Sequence, residues 1–413
     1  MSHSYTLLGA QIFTSGKPSL ADIKIENNSI VSVSPSSNQN ATEGNTSAVS
    51  LGGKKLYPGF FNSHDHLLAS YLPKVGGSTK HNSWLAFDNL YKSSGVFAER
   101  QQLESELLYF LGSYKNLIAG VTSVFDHIPH QVQAPFVGNL PVRLISEYTL
   151  SHSLGNYSLG WGEGPALEYR IAESTNKPFV THLGEGLDED SLTSLKRLEK
   201  AEALGPHSVL VHCLPFGPRE VEKIAKANAS VVWCPTSNLH IFGKTTNIKL
   251  FQEAGVNVCL GTDFSPSGSL HLMEEMKLAK TLYQDLYEEE LQESVLLDWV
   301  TKNPAKAFRQ NLLGEIKEGN LADLLVLEDE DSSKNEISVS QLNPGKIDLM
   351  IVDGSPILAS PHYKKLFSDL EIDTETISLS GKDKIVAGSP KRLLEQVSAS
   401  VGYKKELAFL PIF

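Results

Sequence analysis

His64 and His66 stand two residues apart in the run Tyr57-Pro58-Gly59-Phe60-Phe61-Asn62-Ser63-His64-Asp65-His66. Side chains two apart on a β-strand share a face, so this pair can offer two imidazoles to one metal ion. Three further apolar, strand-like runs end in His182, His212 and Asp263. Polar residues closing separate apolar strands need a common destination, and a metal at the open end of a parallel barrel supplies one. Glu185 follows His182 in Phe179-Val180-Thr181-His182-Leu183-Gly184-Glu185, just beyond the strand end, where a carboxylate can hang over a metal. A glutamate there suits the transfer of a proton from water to a leaving group. Asp263 closes Cys259-Leu260-Gly261-Thr262-Asp263, and the small residues Gly261 and Cys259 leave room on its side of the strand. Its carboxylate can ligate a metal and accept a proton from the metal's water. His212 can stay off the metal and polarise a substrate carbonyl or ring nitrogen. Each residue alone has a plainer reading, as a core histidine or as a capping or turn aspartate. The joint pattern, one suitable residue at each strand end, is what points to a metal-dependent hydrolytic site.

The elements around these residues alternate. Candidate strands are Val121–Asp126, Val142–Tyr148, Pro178–His182, Ser208–His212, Ala229–Cys234 and Val256–Asp263. Amphipathic helices are expected between and after them, for example over Arg219–Ala227 and Leu270–Leu286. Strands alternating with helices predict a parallel sheet. The ends of the chain read differently. Ala21–Ile25 and Ile30–Val33 alternate apolar and polar residues, and similar strands return at Ala322–Leu327 and Leu349–Gly354. A Ser/Asn/Thr-rich loop is expected over Ser34–Ser47. The division expected is therefore 1–57 and 310–380 as two parts of a small β-sandwich domain, 58–309 as a TIM-like (β/α)8 barrel, and 381–413 as a helix and apolar tail. Ser389 is a candidate N-cap for a helix over Pro390–Ala399. The apolar closing run Leu407–Phe413 is expected to dock on this chain or on a second subunit.

The 413 residues suffice for such a barrel with an added domain. Hydrophobic residues make up 41% and charged residues 20%, the composition of an ordinary globular protein. A formal charge of −12 without a dense Lys/Arg cluster argues against a nucleic-acid partner. No apolar run is long enough to span a bilayer and no secretory signal is visible, so neither a membrane nor export is expected. Cys213, Cys234 and Cys259 have no paired spacing, which points to a reducing, cytoplasmic setting.

These motifs resemble the amidohydrolase superfamily, in its branch of cytosine-, guanine- and adenosine-type aminohydrolases and chlorohydrolases. The resemblance rests on Pro58-Gly59-Phe60 leading to His64-Asp65-His66, Gly120-Val121-Thr122-Ser123-Val124, and His182 through Glu185. It continues in Val211-His212-Cys213, Cys234-Pro235-Thr236-Ser237-Asn238 and Gly261-Thr262-Asp263. Asn311-Leu312-Leu313-Gly314 and Gly319-Asn320-Leu321-Ala322-Asp323 resemble the family's return to its β domain. The resemblance implies one divalent metal per chain, zinc or iron, held by His64, His66, His182 and Asp263. It implies Glu185 as proton shuttle, His212 as substrate assistant, and a homodimer or tetramer. No lysine lies between Asn116 and Asn176, so the bridging lysine of binuclear members has no counterpart there.

The implied reaction is deamination of a purine-, pyrimidine- or pterin-like heterocycle with release of ammonia. The same residues would also serve hydrolysis of a cyclic amide or imidazolone, or displacement of chloride from a chloro-heterocycle. A non-catalytic scaffold is the remaining alternative, opposed by the complete set of ligands. The chain departs from the family between strand three and His182, where Tyr148–Leu154 and Gly155–Glu168 leave room for an abbreviated barrel unit. Further candidates for substrate contact are His127 and His130 after strand two, Trp84 in the long connection after strand one, Trp161 in a Gly-rich loop, and Asn238 after a strand end. His240 and His271 are expected to be structural.

Overall fold

The computed structural model describes residues 3–14, 17–36, 47–328 and 338–410. Most of the Ser/Asn/Thr-rich stretch and residues 411–413 of the closing run lie outside the described residues. The N-terminal strands are β1 (Ser4–Thr14), β2 (Lys17–Glu26), β3 (Ser29–Pro35), β4 (Ser47–Ser50) and β5 (Lys55–Pro58). Eight strands follow: β6 (Phe60–Asp65), β7 (Val121–Asp126), β8 (Arg143–Leu144), β9 (Thr149–Ser153), β10 (Phe179–Leu183), β11 (Ser208–His212), β12 (Ser230–Trp233) and β13 (Asn257–Leu260). The chain returns through β14 (Leu324–Leu327), β15 (Ile347–Val352), β16 (Ser355–Ala359), β17 (Thr374–Leu379) and β18 (Lys382–Ala387).

The strands of both termini join in one ten-stranded sheet, in the order β17-β18-β16-β15-β14-β5-β1-β2-β3, with β4 on β1. Its seam is the antiparallel pairing of β5 with β14, where Tyr57 meets Leu325. Tyr5, Leu7, Ile23, Ile25, Leu324 and Ile351 bury one face of this sheet in a core of their own.

The central strands are parallel and alternate with helices, as expected of an α/β protein. They form a three-stranded sheet β6-β7-β8 and a five-stranded sheet β13-β12-β11-β10-β9. First and last strands meet directly: the Asp263 N–H donates to the His64 carbonyl at 3.0 Å. Gly261 makes this approach possible, because a Cβ there would lie 2.8 Å from His64 Cβ and 2.9 Å from its backbone nitrogen. Phe61, Phe125, Val180, Val209, Val211, Val232 and Cys259 form an apolar cluster with Phe308 inside these strands.

The expected strand Val142–Tyr148 is corrected to the two-residue β8. Only Arg143–Leu144 pairs with β7, and Thr149–Ser153 follows as a separate strand on β10, with no helix between them. The abbreviated unit is thus the third, and the fourth strand is present with an irregularity opposite Val180–His182. The helices expected over Arg219–Ala227 and Leu270–Leu286 run over Pro218–Lys226 and Leu272–Tyr287. The final helix spans Pro390–Val401; Ser389 is its N-cap residue, but its side chain makes no capping bond. Leu407, Phe409 and Leu410 pack into this chain's own large core, which settles the docking of that part of the apolar run.

Candidate active site

Each candidate ligand reaches the strand ends by a different local device. On β10, simple alternation places His182 on the side of Val180, which belongs to the inner cluster. On β11, Val209 and Val211 are the inner residues, so alternation would turn His212 away. His212 instead adopts a left-handed backbone, φ 74°, followed by Cys213 at φ 53°. Asp263 does the same at φ 56°, beyond the end of β13. Non-glycine residues in that region cost of order 1–3 kcal/mol each, and such strain persists where surrounding bonds enforce it. The Cys213 N–H donates to Leu183 at 2.8 Å, as the Asp263 N–H does to His64. On β6 the register against β7 shifts between Asn62 and Asp65, which breaks strict alternation around His64.

These devices bring six side chains together. His64, His66 and His182 form one group of converging donor atoms, and His182, Glu185 and His212 form a second, sharing His182. Asp263 Oδ1 lies 3.6 Å from His64 Nε2 and 3.5 Å from His66 Nε2. Glu185 Oε1 lies 3.6 Å from His212 Nε2. His64, His182, His212 and Asp263 are buried, and His66 keeps one edge open.

The hydrogen bonds decide which atoms carry lone pairs. His182 Nδ1 donates to the His152 carbonyl at 2.6 Å, so the neutral ring presents a bare Nε2. That atom faces His64 Nε2 at 3.2 Å. Burial holds His182 well below the ordinary histidine range, with His127 adding to the effect. Burial likewise brings His66 down to about 4, reinforced by His64. Burial would raise Asp263, but its interactions with His64, His212 and His66 hold it well below the usual carboxylate range. Neutral imidazoles beside an ionised carboxylate are the donor set a divalent cation requires. Converging nitrogen lone pairs at van der Waals range repel unless a cation or proton lies between them. The residues therefore fit a divalent metal.

His212 Nδ1 donates to Asn238 Oδ1 at 3.0 Å. The amide is oriented in turn: Asn238 Nδ2 donates to Thr246 Oγ1 at 3.2 Å, whose hydroxyl donates to the His212 carbonyl at 2.7 Å. His212 Nε2 is therefore a lone pair in the neutral ring, and it is buried without a partner among the described residues. Burial brings His212 down to about 4. Glu185 is moved the other way: burial, with Asp263 and Asp88, raises it well above the ordinary glutamate range.

A cavity of about 220 Å³ opens over the cluster, lined by His66, Trp84, His152, Trp161, Glu185 and Phe264, among others. Asp88 and Lys92 also line it and pair with each other at 2.7 Å. Trp84 and Trp161 both pack edge-to-face with His152, at 5.0 and 4.8 Å between ring centroids. His127 lies under the site and stacks on His182 at 4.3 Å, with Nε2 donating to Ser151 at 3.1 Å. His130 is elsewhere: it stacks on Tyr148 at 4.1 Å and lines a neighbouring cavity of about 560 Å³, which shares Trp161. Asn238 touches His212 rather than the cavity. His240 is held by the Val75 carbonyl at 2.6 Å, and His271 caps its helix by accepting from the Glu274 N–H at 3.3 Å.

Sequence reasoning missed His152, Asp88 and Phe264. His152 lies near the end of Thr149–Ser153, whose only apolar residue is Leu150, so the stretch carries no strand pattern in the sequence. His152 Nδ1 accepts from the Leu159 N–H at 3.3 Å, so the neutral ring carries its proton on Nε2.

The profile of the Amidohydrolase family matches residues 169–357. The 5-methylthioadenosine/S-adenosylhomocysteine deaminase of Thermococcus sibiricus is 26% identical over 82% of this chain and 89% of its own. The 5'-deoxyadenosine deaminase of Methanothermobacter thermautotrophicus is 24% identical over 79% of this chain and 85% of its own. Among solved structures, a zinc-complexed atrazine chlorohydrolase from Arthrobacter aurescens superposes with a TM-score of 0.74 at 17% identity, covering 96% of this chain and 100% of that one. This last likeness is one of fold.

Proposed function

We propose that the chain is a member of the amidohydrolase superfamily, whose profile it matches over residues 169–357, and a metal-dependent aminohydrolase of amino-substituted heterocycles. It is a hydrolase acting on carbon–nitrogen bonds, like the deaminases it resembles. The observation that carries the reading is the meeting of Glu185 and His212 beside three histidines and Asp263 at the strand ends. We assign His64, His66, His182 and Asp263 as ligands of one divalent ion per chain, with zinc favoured by the nitrogen and oxygen donor set. When bound, the ion supplies Lewis acidity that makes water nucleophilic near neutral pH.

The chain's own residues do the rest. Trp84 and Trp161 offer faces to a flat ring, and His152 Nε2–H can donate to an acceptor on it. Asp263 accepts the proton that the attacking water loses, while the lone pair of His212 Nε2 can accept a hydrogen bond from the O–H that remains. Polarising a carbonyl would require the imidazolium, which burial disfavours. As the new C–O bond forms, Glu185 gives its proton to the exocyclic nitrogen. The C–N bond then breaks and ammonia leaves. Its raised affinity for a proton suits it to that task.

We read the eight central strands as the barrel, at 58–309, and the ten-stranded sheet as the small β domain built from 1–57 and 310–380. A soluble cytoplasmic homodimer or tetramer remains part of the proposal. Among the described residues, no helix is long and apolar enough to cross a membrane. The substrate class favoured is adenosine-type, because the deaminases named above span most of this chain. Ammonia release from a panel of adenosine, 5'-deoxyadenosine, 5-methylthioadenosine and S-adenosylhomocysteine by zinc-loaded protein tests it. Silence on every amine, with chloride release from a chlorotriazine, would replace deamination by the chlorohydrolase reading that the fold neighbour favours. A product heavier by one water would indicate opening of a cyclic amide instead.

A further inference from the structure

The face of β6 turned away from the cavity holds an ion pair that this chemistry does not use. Lys115 Nζ lies 2.8 Å from Asp65 Oδ2, and both side chains are wholly buried. Lys115 comes from the helix Ser105–Leu117, and Asp65 stands between the two histidines. Burying two charges costs several kcal/mol per ion, and an apolar pair of similar volume usually serves stability as well. Stability alone therefore gives little reason for this pair.

Its bonds point to another role. The Asp65 carboxylate accepts from the His66 backbone N–H at 2.8 Å and from the Ser70 hydroxyl on Oδ1. On Oδ2 it accepts from Lys115, from Asn116 Nδ2 at 2.8 Å and from Asn62 Nδ2 at 3.2 Å. Asn62 crosses to the last strand end: its Nδ2 donates to Thr262 Oγ1 at 2.8 Å, and its Oδ1 accepts from the Thr262 N–H at 3.1 Å. Lys115 Nζ reaches the same Thr262 hydroxyl at 3.4 Å. One end of the network thus grips the backbone of His66. The other grips the residue before Asp263, whose left-handed backbone needs external support.

Resting on the assignment of His64, His66 and Asp263 as metal ligands, we propose that Lys115 and Asp65 are positioning residues. Their buried brace sets the spacing between the two-histidine strand end and Asp263, and through it the affinity of the site for its metal. Groups behind metal ligands hold them in register in this way, and their loss typically weakens metal binding about 10–100-fold.

The test is zinc affinity, read by competition with a chromophoric chelator on protein stripped of metal, beside the urea midpoint of the same metal-free protein. Lys115→Met alone would strand the Asp65 charge, so the informative variant is the double Asp65→Asn/Lys115→Met. Its expected behaviour is a urea midpoint near the parent's with a zinc dissociation constant raised about 10–100-fold. Should the double variant not fold, Thr262→Val removes the acceptor shared by Asn62 and Lys115 while keeping the shape, and is expected to weaken zinc about tenfold. A folded double variant, or failing that a folded Thr262→Val, that binds zinc within about twofold of the parent overturns the brace. His182→Ala touches none of these contacts and serves as control. Tight zinc binding in that control would sink the metal-site assignment itself. Loss of zinc in the control, with parent-like affinity in the brace variant, would sink only the brace.

Discussion

The two sheets around the site solve the same problem in different ways. In the five-stranded sheet, β10 and β11 pair in unbroken register from Phe179–Ser208 to Leu183–His212, and His182 reaches the site by alternation. In the three-stranded sheet, the register of β6 on β7 breaks twice and β8 is only two residues long. That half compensates with polar bonding: Asp65, Lys115, Asn116 and Asn62 all lie buried behind it. Regular pairing with β11 lets alternation alone present His182, whereas the irregular β6 has its side chains held from behind.

The comparison can be broken at several points. On the regular side, Glu185→Gln keeps the size of the side chain and removes its proton. We expect kcat to fall about 10²–10⁴-fold with zinc content unchanged, measured by ammonia release and elemental analysis. Undiminished kcat would remove Glu185 from the chemistry.

At the seam between the halves, Gly261→Ala drives a methyl against His64, whose Cβ and backbone nitrogen would be under 3 Å away. Overpacking of this kind costs about 1–3 kcal/mol, to be read from urea unfolding of metal-free protein. A loss of zinc affinity should accompany it. An unchanged midpoint would show that the seam has slack.

Both halves also bury a carboxyl group that burial pushes up, Asp126 to about 7 in the first and Glu275 to about 8 in the second. For Glu275, the unfolded chain releases its proton near 4.5 while the folded protein keeps it to about 8. The folded state binds more protons across that window, so this contribution to stability is present below it and lost as pH rises through it. Glu275→Gln should flatten the fall in urea midpoint between the two ends of that window. Equal slopes for parent and variant would contradict the assignment.

The smallest effect expected is that of Trp161→Ala, which opens the wall shared by the two cavities. Losing one stacking face should lower kcat/KM for a flat ring by on the order of tenfold. A larger loss than that of Trp84→Ala would mark Trp161 as the main platform.

Much of the candidate site is legible in the sequence because the chemistry proposed for it calls for particular residue types at strand ends. The proposed ligands His64, His66, His182 and Asp263 are picked out by type and by the strand-like runs before them, and Glu185 by its offset. The alternating elements of the middle, and the return of strands at 324–327 and 347–352, follow from hydrophobic periodicity. Boundaries are less legible: the expected strand Val142–Tyr148 shrinks to Arg143–Leu144, and Thr149–Ser153, with one apolar residue, carries no strand pattern. His152 was missed with that second strand.

What only the tertiary structure decided is long-range. The left-handed turns at His212 and Asp263 reverse or extend what alternation alone dictates, and they depend on bonds to other strands. Asn238, expected to face substrate, bonds instead to His212, 26 residues away. The meeting of Lys115 with Asp65, 50 residues apart, leaves no trace in spacing. Local pattern encodes which residues face inward, because strand and helix periods are local properties of the backbone. Which buried polar groups satisfy one another depends on how the chain closes, and that is settled only when all its strands pack together.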